Sequence, residues 1–281
     1  MEIVIPKRFC GPPTSGNGGY TCGRIAAFID GAAAGVVDED LRSPALAPGA
    51  AAGVIDKDLR SPALALGAAE ITLKSPPPLE TPLRVEKHGV EVKVMHGGRE
   101  IAHGKPIDLQ LDVPSPPSWA EAEAAGKRYN GLREHYYGTC FVCGPQRAPR
   151  DGLRIFCGPW RGGVVAGTWV PDDTLADGNG RVAPEFLWSA IDCPGEWSVV
   201  GRDDPDAPAR GVPSTILLGR LAGQVFRGLA VGEPCTVIGW CIATEARKHL
   251  VGAAVHTRDG ALVAASRATW IALKNAGGAA P

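Results

Sequence analysis

The sequence predicts an α+β fold made of two similar units packed as a pseudo-dimer. Each half of the chain has a Gly- or Pro-containing turn that leads into a short apolar helix, at residues 17–29 (NGGYTCGRIAAFI) and 182–193 (VAPEFLWSAIDC). Each helix is followed by β-type runs that end in a hairpin around a glycine turn, at residues 97–98 and 259–260. A helix followed by an antiparallel sheet, made twice in one chain, is typical of two packed α+β units.

In the first unit, residues 2–6 form a short leading strand and the first helix runs to Ile29. The β pattern resumes at residues 70–75 and continues through the alternating valines of residues 90–94. Apolar and polar residues also alternate over residues 107–113, which predicts a half-buried strand.

A tandem repeat interrupts this unit. Residues 35–50 (GVVDEDLRSPALAPGA) recur at 53–68 (GVIDKDLRSPALALGA) with a period of 18, and only three aligned positions differ. Because the repeat is rich in Ala, Gly and Pro, we expect an exposed insertion in a loop at about 33–68. The alternative is a lid over a nearby site.

A Pro-rich segment (PSPPS) and a helical pattern beginning at Ser118 separate the two units. We expect an N-terminal domain at residues 1–115, a linker helix at 116–139 and a C-terminal domain at 140–281. One helix to four or five strands in each half excludes a doubly wound α/β sheet. The strands predicted in the second half lie at residues 152–157, 163–170, 214–228, 234–244, 248–257 and 261–273.

The net charge and the hydrophobic pattern of the sequence exclude several classes of function. The net charge is −1, from 29 basic and 30 acidic side chains, which argues against nucleic acid or an anionic membrane as the main partner. No apolar run approaches the roughly 20 residues that span a bilayer. The start of the chain has no signal-peptide core, so we expect a cytoplasmic protein whose eight cysteines are reduced.

Cysteine spacing raises the question of a metal. Cys140 and Cys143 form a C-x-x-C pair, with Cys157 downstream. A structural zinc site needs four ligands, and the second pair is missing, although His135 is a conceivable fourth ligand. We expect no metal, and small apolar side chains that pack at the start of a strand.

Two features favour chemistry on a carbonyl group. The amides at the predicted helix start, Asn17 to Tyr20, have no intrahelical acceptor and could hold an oxyanion, unless the glycines serve only the backbone angles of the turn. Asp192 follows apolar residues in its helix, where a carboxylate is costly unless it is paired or functional. The alternatives for Asp192 are a surface acid at a helix end or a carboxylate bonded to backbone. Glu185 lies in the first helical turn, where a carboxylate stabilises the helix dipole, so its role is mostly structural.

Arg247, Lys248 and His249 form a cationic cluster near a strand start. They would bind a ligand phosphate or lie in a solvated hairpin end.

These elements resemble the hotdog-fold acyl-CoA thioesterases, in particular the double-hotdog type similar to acyl-CoA thioesterase II. In the first half the resemblance rests on FCGPP…NGGYTCGRIA and SPPPLETPLRVE. In the second it rests on CFVCGP…DGLRIF, LWSAID, STILLGRLAGQVFRG and VHTRDGALVAASRATW. The resemblance implies two units, each a central helix wrapped by a curved antiparallel β-sheet, paired edge to edge with acyl-CoA bound at the seam.

The resemblance also implies a site made of an Asp, a Thr and a Gln that orient the attacking water. Asp192 matches the Asp, and Thr215 matches the Thr. The Gln position falls at Ala268, or at Arg267 if the register slips by one, so the amide is absent in either case.

Spacing places the acid opposite the other helix. An acid seven residues along its own helix lies roughly 10 Å from that helix's first amides. Asp192 could instead serve a carbonyl held at residues 18–20 if the two helices lie antiparallel across a seam. The mirror position near Ala26 has no carboxylate, so we expect one competent site per chain.

The leading hypothesis is hydrolysis of an acyl-CoA thioester. The Gly19 and Tyr20 amides would polarise the carbonyl, Asp192 would act as general base or nucleophile, and Thr215 would position the water. Asn17, Gly18, Arg247 and Lys248 would bind the substrate, with no cofactor beyond the CoA of the substrate itself. A non-catalytic acyl-CoA-binding protein and an enoyl-CoA hydratase or dehydratase are the alternatives, and a homodimer of double hotdogs is left open.

Overall fold

The structure is a computed structural model that describes residues 1–30, 67–200 and 216–273. The predicted insertion at about 33–68 lies almost wholly outside the described residues, so its role stays a prediction.

The described residues of the first half contribute one α-helix and five strands. In chain order these are β1 (Glu2–Ile3), α1 (Gly18–Ala26), β2 (Ala68–Leu73), β3 (Leu83–His88), β4 (Glu91–His96) and β5 (Arg99–Ile107). The second half contributes the rest: α2 (Trp119–Gly126), β6 (Gly158–Pro159), β7 (Val164–Trp169), α3 (Pro184–Ala190), α4 (Cys193–Val200), β8 (Ile216–Val225), β9 (Cys235–Glu245), β10 (Lys248–Thr257) and β11 (Leu262–Ala272).

All the strands join one antiparallel sheet in the order β1-β3-β4-β5-β2-β8-β11-β10-β9-β7-β6. The strands of the first half therefore occupy one side of the sheet and those of the second half the other. They meet where β2 pairs with β8, from Ala69 opposite Gly223 to Thr72 opposite Arg220. This seam brings the helices of the two halves side by side.

One face of the sheet carries α1, α3 and α4 over the main hydrophobic core. Ile25 of α1, Ile71 of β2, Leu187 of α3 and Leu221 of β8 belong to this core, and each has at most 1% of its surface exposed. The helix α2 packs on the opposite face, where Ala122 and Ala125 join a second, smaller core. The candidate site lies on the face of the sheet that carries α1, α3 and α4.

The hairpin predictions are confirmed. Gly97 and Gly98 form the two-residue turn between β4 and β5, both with positive φ, as tight hairpins require. Gly260 also has positive φ, in the turn between β10 and β11. These turns depend on glycine locally, which is why the sequence reveals them.

Two predicted strands are absent from the described chain. Residues 152–157 form no ladder, and only the two residues of β6 pair after them. The alternation at residues 107–113 does reflect burial, because Leu111 and Val113 pack against the smaller core, yet only Ile107 belongs to a strand. An alternating pattern of burial does not by itself give a segment a neighbouring strand with which its backbone can form hydrogen bonds.

The predicted linker helix is shorter than expected. Ser118 caps α2 in a capping box with Glu121, as the sequence indicates, but the helix ends at Gly126. Glycine is a poor helix former, and Asn130-Gly131 begin a separate 3₁₀ turn shortly afterwards. Among the described residues, no helix combines the length and the apolar character that crossing a membrane requires.

A buried histidine on β10 predicts loss of stability in acid. His256 is 4% exposed, its Nδ1 has no partner among the described residues, and burial lowers its pKa to about 4. Because the unfolded chain takes up this proton near pH 6.5 and the folded chain only near pH 4, stability is lost between those values. The loss is about 3 kcal/mol at most.

Replacing His256 with Gln removes this contribution. Between pH 7 and pH 4, the free energy of unfolding of wild type should fall by roughly 3 kcal/mol more than that of His256→Gln, measured by urea denaturation. The exposed His96, replaced in the same way, serves as the control. Parallel pH curves for wild type and His256→Gln would contradict the assignment.

Candidate functional site

Asp192 lies at the junction of two helices, which corrects the prediction of one continuous helix over residues 182–193. The helix α3 ends at Ala190, Ile191 leaves the helical conformation, and α4 begins at Cys193. The Asp192 side chain is 1% exposed. The junction turns this side chain toward α1.

The carboxylate of Asp192 binds the start of α1. Its Oδ2 accepts hydrogen bonds from the Gly19 backbone N–H (2.8 Å) and from Asn17 Nδ2 (3.2 Å). Its Oδ1 is buried and has no partner among the described residues. One oxygen is thus fixed by the first half of the chain, and the other is free to act on a ligand.

Two glycines allow α1 and α3 to approach this closely. A Cβ on Gly19 would lie 2.6 Å from the Asp192 Cβ and 2.6 Å from the Trp188 carbonyl oxygen. A Cβ on Gly23, one turn later, would lie 2.6 Å from the Glu185 Cα. The distances are shorter than non-bonded carbon atoms tolerate, so the contact depends on glycine at both positions.

The strand β11 packs against the junction between α3 and α4. Ser266 of β11 is fully buried, and its hydroxyl donates to the Ile191 carbonyl at 2.6 Å. Ala268 is also buried and, two residues on, shares this face, whereas Arg267 points to the other face. Ala268 therefore occupies the helix-facing position and carries no amide there.

The predicted oxyanion donors are already engaged. The Gly19 amide binds Asp192, and the Tyr20 amide donates to Asn17 Oδ1 at 2.9 Å, because Asn17 is the N-cap of α1. The structure thus differs from the prediction that these two amides are free for a carbonyl. The Gly18 amide, the first of the helix, has no hydrogen-bond partner in the described part of the chain.

A cavity of about 220 Å³ opens beside this arrangement. Asp192, Asn17 and Gly18 lie in its wall. The apolar part of the wall includes Leu73, Pro76, Pro77, Ile216, Leu217, Leu218, Trp270, Ile271 and Leu273. A small apolar cavity with a few converging polar groups is typical of a ligand site.

Burial has the largest effect on the pKa values of the two acids that line the cavity, Asp192 and Glu196. It raises the pKa of Asp192 to about 7, against the opposing hydrogen bonds from Gly19 and Asn17. Burial likewise raises the pKa of Glu196, which also lines the cavity, and the nearby Cys140 and Asp192 add to that rise. Glu196 and Lys74, which lines the cavity and pairs with Glu100 at 2.8 Å, have no motif that singles them out in the sequence.

The other predicted site residues are less central. Thr215 lies outside the described residues, although the next residue, Ile216, lines the cavity. Arg247 and Lys248 lie at the turn between β9 and β10 and do not line the cavity. Arg247 donates to the Ala272 carbonyl at 2.9 Å, so its guanidinium holds the end of β11.

Three thiols gather near Asp192. The sulfur atoms of Cys140, Cys143 and Cys193 lie within 4.8 Å of one another, and all three residues are buried. Cys157 is elsewhere, with its thiol directed at the Val237 carbonyl. The third member is therefore Cys193, which sequence spacing does not reveal because it is 53 residues from Cys140.

No protein-family model matches the sequence, and no curated protein matches it either. Solved structures do match in three dimensions. A protein assigned as a thioesterase in Novosphingobium aromaticivorans is 11% identical with a TM-score of 0.51, over 97% of this chain and 95% of that one. A protein assigned as a thioesterase II in Thermobifida fusca is 15% identical with a TM-score of 0.52, over 97% and 92% of the two chains. This chain has the hotdog-type fold of the thioesterases.

A shorter structure, a hypothetical thioesterase protein with coenzyme A from Streptococcus pneumoniae, is 12% identical with a TM-score of 0.35. It covers 41% of this chain and 85% of its own length. The resemblance found in the sequence thus agrees with the fold of long structures that span nearly the whole chain.

Proposed function

We propose that the protein hydrolyses an acyl-CoA thioester at one site between two hotdog units. The observation that carries this proposal is the Asp192 carboxylate. One of its oxygens is fixed by α1, and the other is buried and unpartnered beside an apolar cavity. The edge-to-edge pairing of β2 with β8 supports the double-hotdog arrangement.

In the proposed reaction Asp192 acts as general base. Its Oδ1 takes a proton from a water molecule as the water oxygen attacks the thioester carbonyl carbon. The carbon–sulfur bond then breaks, and the proton passes from Asp192 to the departing CoA sulfur. The products are a carboxylic acid and free CoA, and Asp192 is again a carboxylate.

The carbonyl oxygen is held by the start of α1. Gly18 lines the cavity and its amide has no other acceptor in the described chain, so in the proposed reaction this amide donates to the oxygen as negative charge develops there. The positive end of the α1 dipole adds to this stabilisation. Gly19 and Tyr20 contribute by fixing Asp192 and Asn17 instead.

Among the described residues, no acid is placed to serve a second site of the same kind. Residues 26–29 at the end of α1 carry no carboxylate, and Asp30 is exposed and paired with Lys87 at 2.9 Å. The two halves therefore contribute different parts of a single site.

A non-catalytic acyl-CoA-binding protein is the second candidate, and Ala268 favours it. The family resemblance implies a Gln at this position to orient the water, and alanine has no polar group. Such a protein would bind acyl-CoA in the same cavity without breaking the thioester.

One assay separates the two candidates. The protein is incubated with acyl-CoAs that range from short to long and include aromatic acyl groups, and free CoA is detected with a thiol reagent. We expect release with at least one substrate class. Binding of acyl-CoA by calorimetry with no thiol release across the series would favour the non-catalytic protein.

A further inference from the structure

We infer that Cys140, Cys143 and Cys193 bind a thiophilic divalent metal ion of the zinc class, with the fourth coordination position open to the cavity beside Asp192. This inference does not depend on the proposed hydrolysis. It departs from the sequence expectation of no metal, which rested on a missing second cysteine pair.

The distances fit a tetrahedral thiolate site. The Cys140 and Cys193 sulfur atoms are 3.8 Å apart, and all three sulfur atoms lie within 4.8 Å of one another. Two thiolates bound to one zinc at about 2.3 Å in tetrahedral geometry are separated by roughly 3.8 Å. The thiols therefore already stand close to the separation that a bound ion imposes.

A tight turn at residues 140–144 holds Cys140 and Cys143 close together. The turn closes with the Gly144 N–H on the Cys140 carbonyl at 2.9 Å. A Cβ on Gly144 would lie 2.5 Å from the Cys140 and Gly138 carbonyl oxygens, so the turn requires glycine.

His135 contacts the thiol cluster but is not one of the proposed metal ligands. Its Nε2 is 3.3 Å from the Cys143 sulfur, and its Nδ1 accepts the Tyr137 amide at 3.0 Å. A neutral imidazole that accepts at Nδ1 carries its proton on Nε2. His135 therefore donates to Cys143, and it is not the fourth ligand in this arrangement.

The open position faces the cavity because Cys140 and Cys193 line it, whereas Cys143 and His135 do not. A water molecule, or a sulfur or oxygen atom of a cavity ligand, can complete the coordination from there. Two carboxyl groups line the same wall near Cys193, those of Asp192 and Glu196.

The test measures metal directly. Protein expressed with zinc and desalted under reducing conditions is analysed for metal content and by X-ray absorption at the zinc edge. We expect about one zinc per chain with three sulfur ligands near 2.3 Å. Wild-type protein with no retained zinc and freely titratable thiols would overturn the inference, as would a zinc with no sulfur ligands.

Variants locate the site. Cys143→Ser, which changes a ligand outside the cavity wall, should weaken zinc binding by about 10-fold or more in a chelator competition. Cys157→Ser changes a buried cysteine outside the cluster and should bind zinc as wild type does. Equal losses in the two variants would contradict the assignment. If Cys143→Ser does not fold, the ligand count from wild-type absorption decides. If Cys140 and Cys193 are found as a disulfide, and the protein still binds no zinc after that disulfide is reduced, the inference is also refuted.

Discussion

Asp192→Asn should lower kcat/KM for the best acyl-CoA substrate by roughly 100- to 10,000-fold. Asparagine has the same shape, and its side-chain oxygen can still accept the Gly19 amide. Its other terminal atom, however, is an NH₂ group that cannot take a proton from water. The variant should therefore retain the site and lose the base, and single-turnover thiol release measures this loss.

The fold should survive the Asp192→Asn change. A buried carboxylate with an unpartnered oxygen costs free energy, so the amide should leave the free energy of unfolding unchanged or raise it. Glu185→Gln is the matched control, because Glu185 is an acid of α3 that does not line the cavity. Asp192→Asn activity equal to that of this control would rule out Asp192 as the base.

Isotope labelling distinguishes a base from a nucleophile. If Asp192 attacked the carbonyl carbon itself, a mixed anhydride would form, and attack of ¹⁸O water on its Asp192 carbonyl carbon would label the Asp192 carboxylate in a single turnover. General-base hydrolysis places the label only in the released acid. Label in the peptide that contains Asp192, detected by mass spectrometry, would establish the nucleophilic route and contradict the general-base role.

Gly19→Ala should destabilise the protein by about 3 kcal/mol or more. The added methyl group would meet the Trp188 carbonyl and the Asp192 Cβ at 2.6 Å, and backbone atoms cannot turn away as flexible side chains do. Alanine gains about 1 kcal/mol of helix propensity over glycine, which is too little to offset the clash. Urea denaturation measures the difference.

The same substitution should separate the two helices and lengthen the hydrogen bond from the residue 19 amide to Asp192. Activity should then fall even in the folded fraction. Gly178→Ala is the control, because no atom lies within 4 Å of its added Cβ, and it should leave stability within about 0.5 kcal/mol of wild type. A Gly19→Ala protein as stable as this control would show that the helices are not in close contact.

Local signals were sufficient for much of the fold. The glycine hairpins, the Ser118 cap and the start of α1 at Asn17 each depend on residues close together in sequence, and each is found as expected. Asp192 stood out because a carboxylate among apolar neighbours needs a partner. The edge-to-edge pairing of the halves followed from the resemblance and not from any local pattern.

The remaining features depend on contacts between distant residues. The break between α3 and α4 had one sequence signal, Pro194, since proline is typical of the first turn of a helix. The occupation of the Gly19 amide could not be read from sequence, because its acceptor lies 173 residues away. Cys193 was missed for the same reason, because Cys140, whose thiol it meets in the cluster, lies 53 residues earlier in the chain.

The glycine face of α1 has a consequence for synthesis. It is covered by α3, and the ribosome makes Gly19 and Gly23 long before it makes Trp188 and Asp192. The nascent chain must therefore carry an uncovered helix surface while more than half of the polypeptide is still missing. A truncated product that stops after β5 would keep that surface exposed, and a species of this kind is prone to aggregate or to engage chaperones.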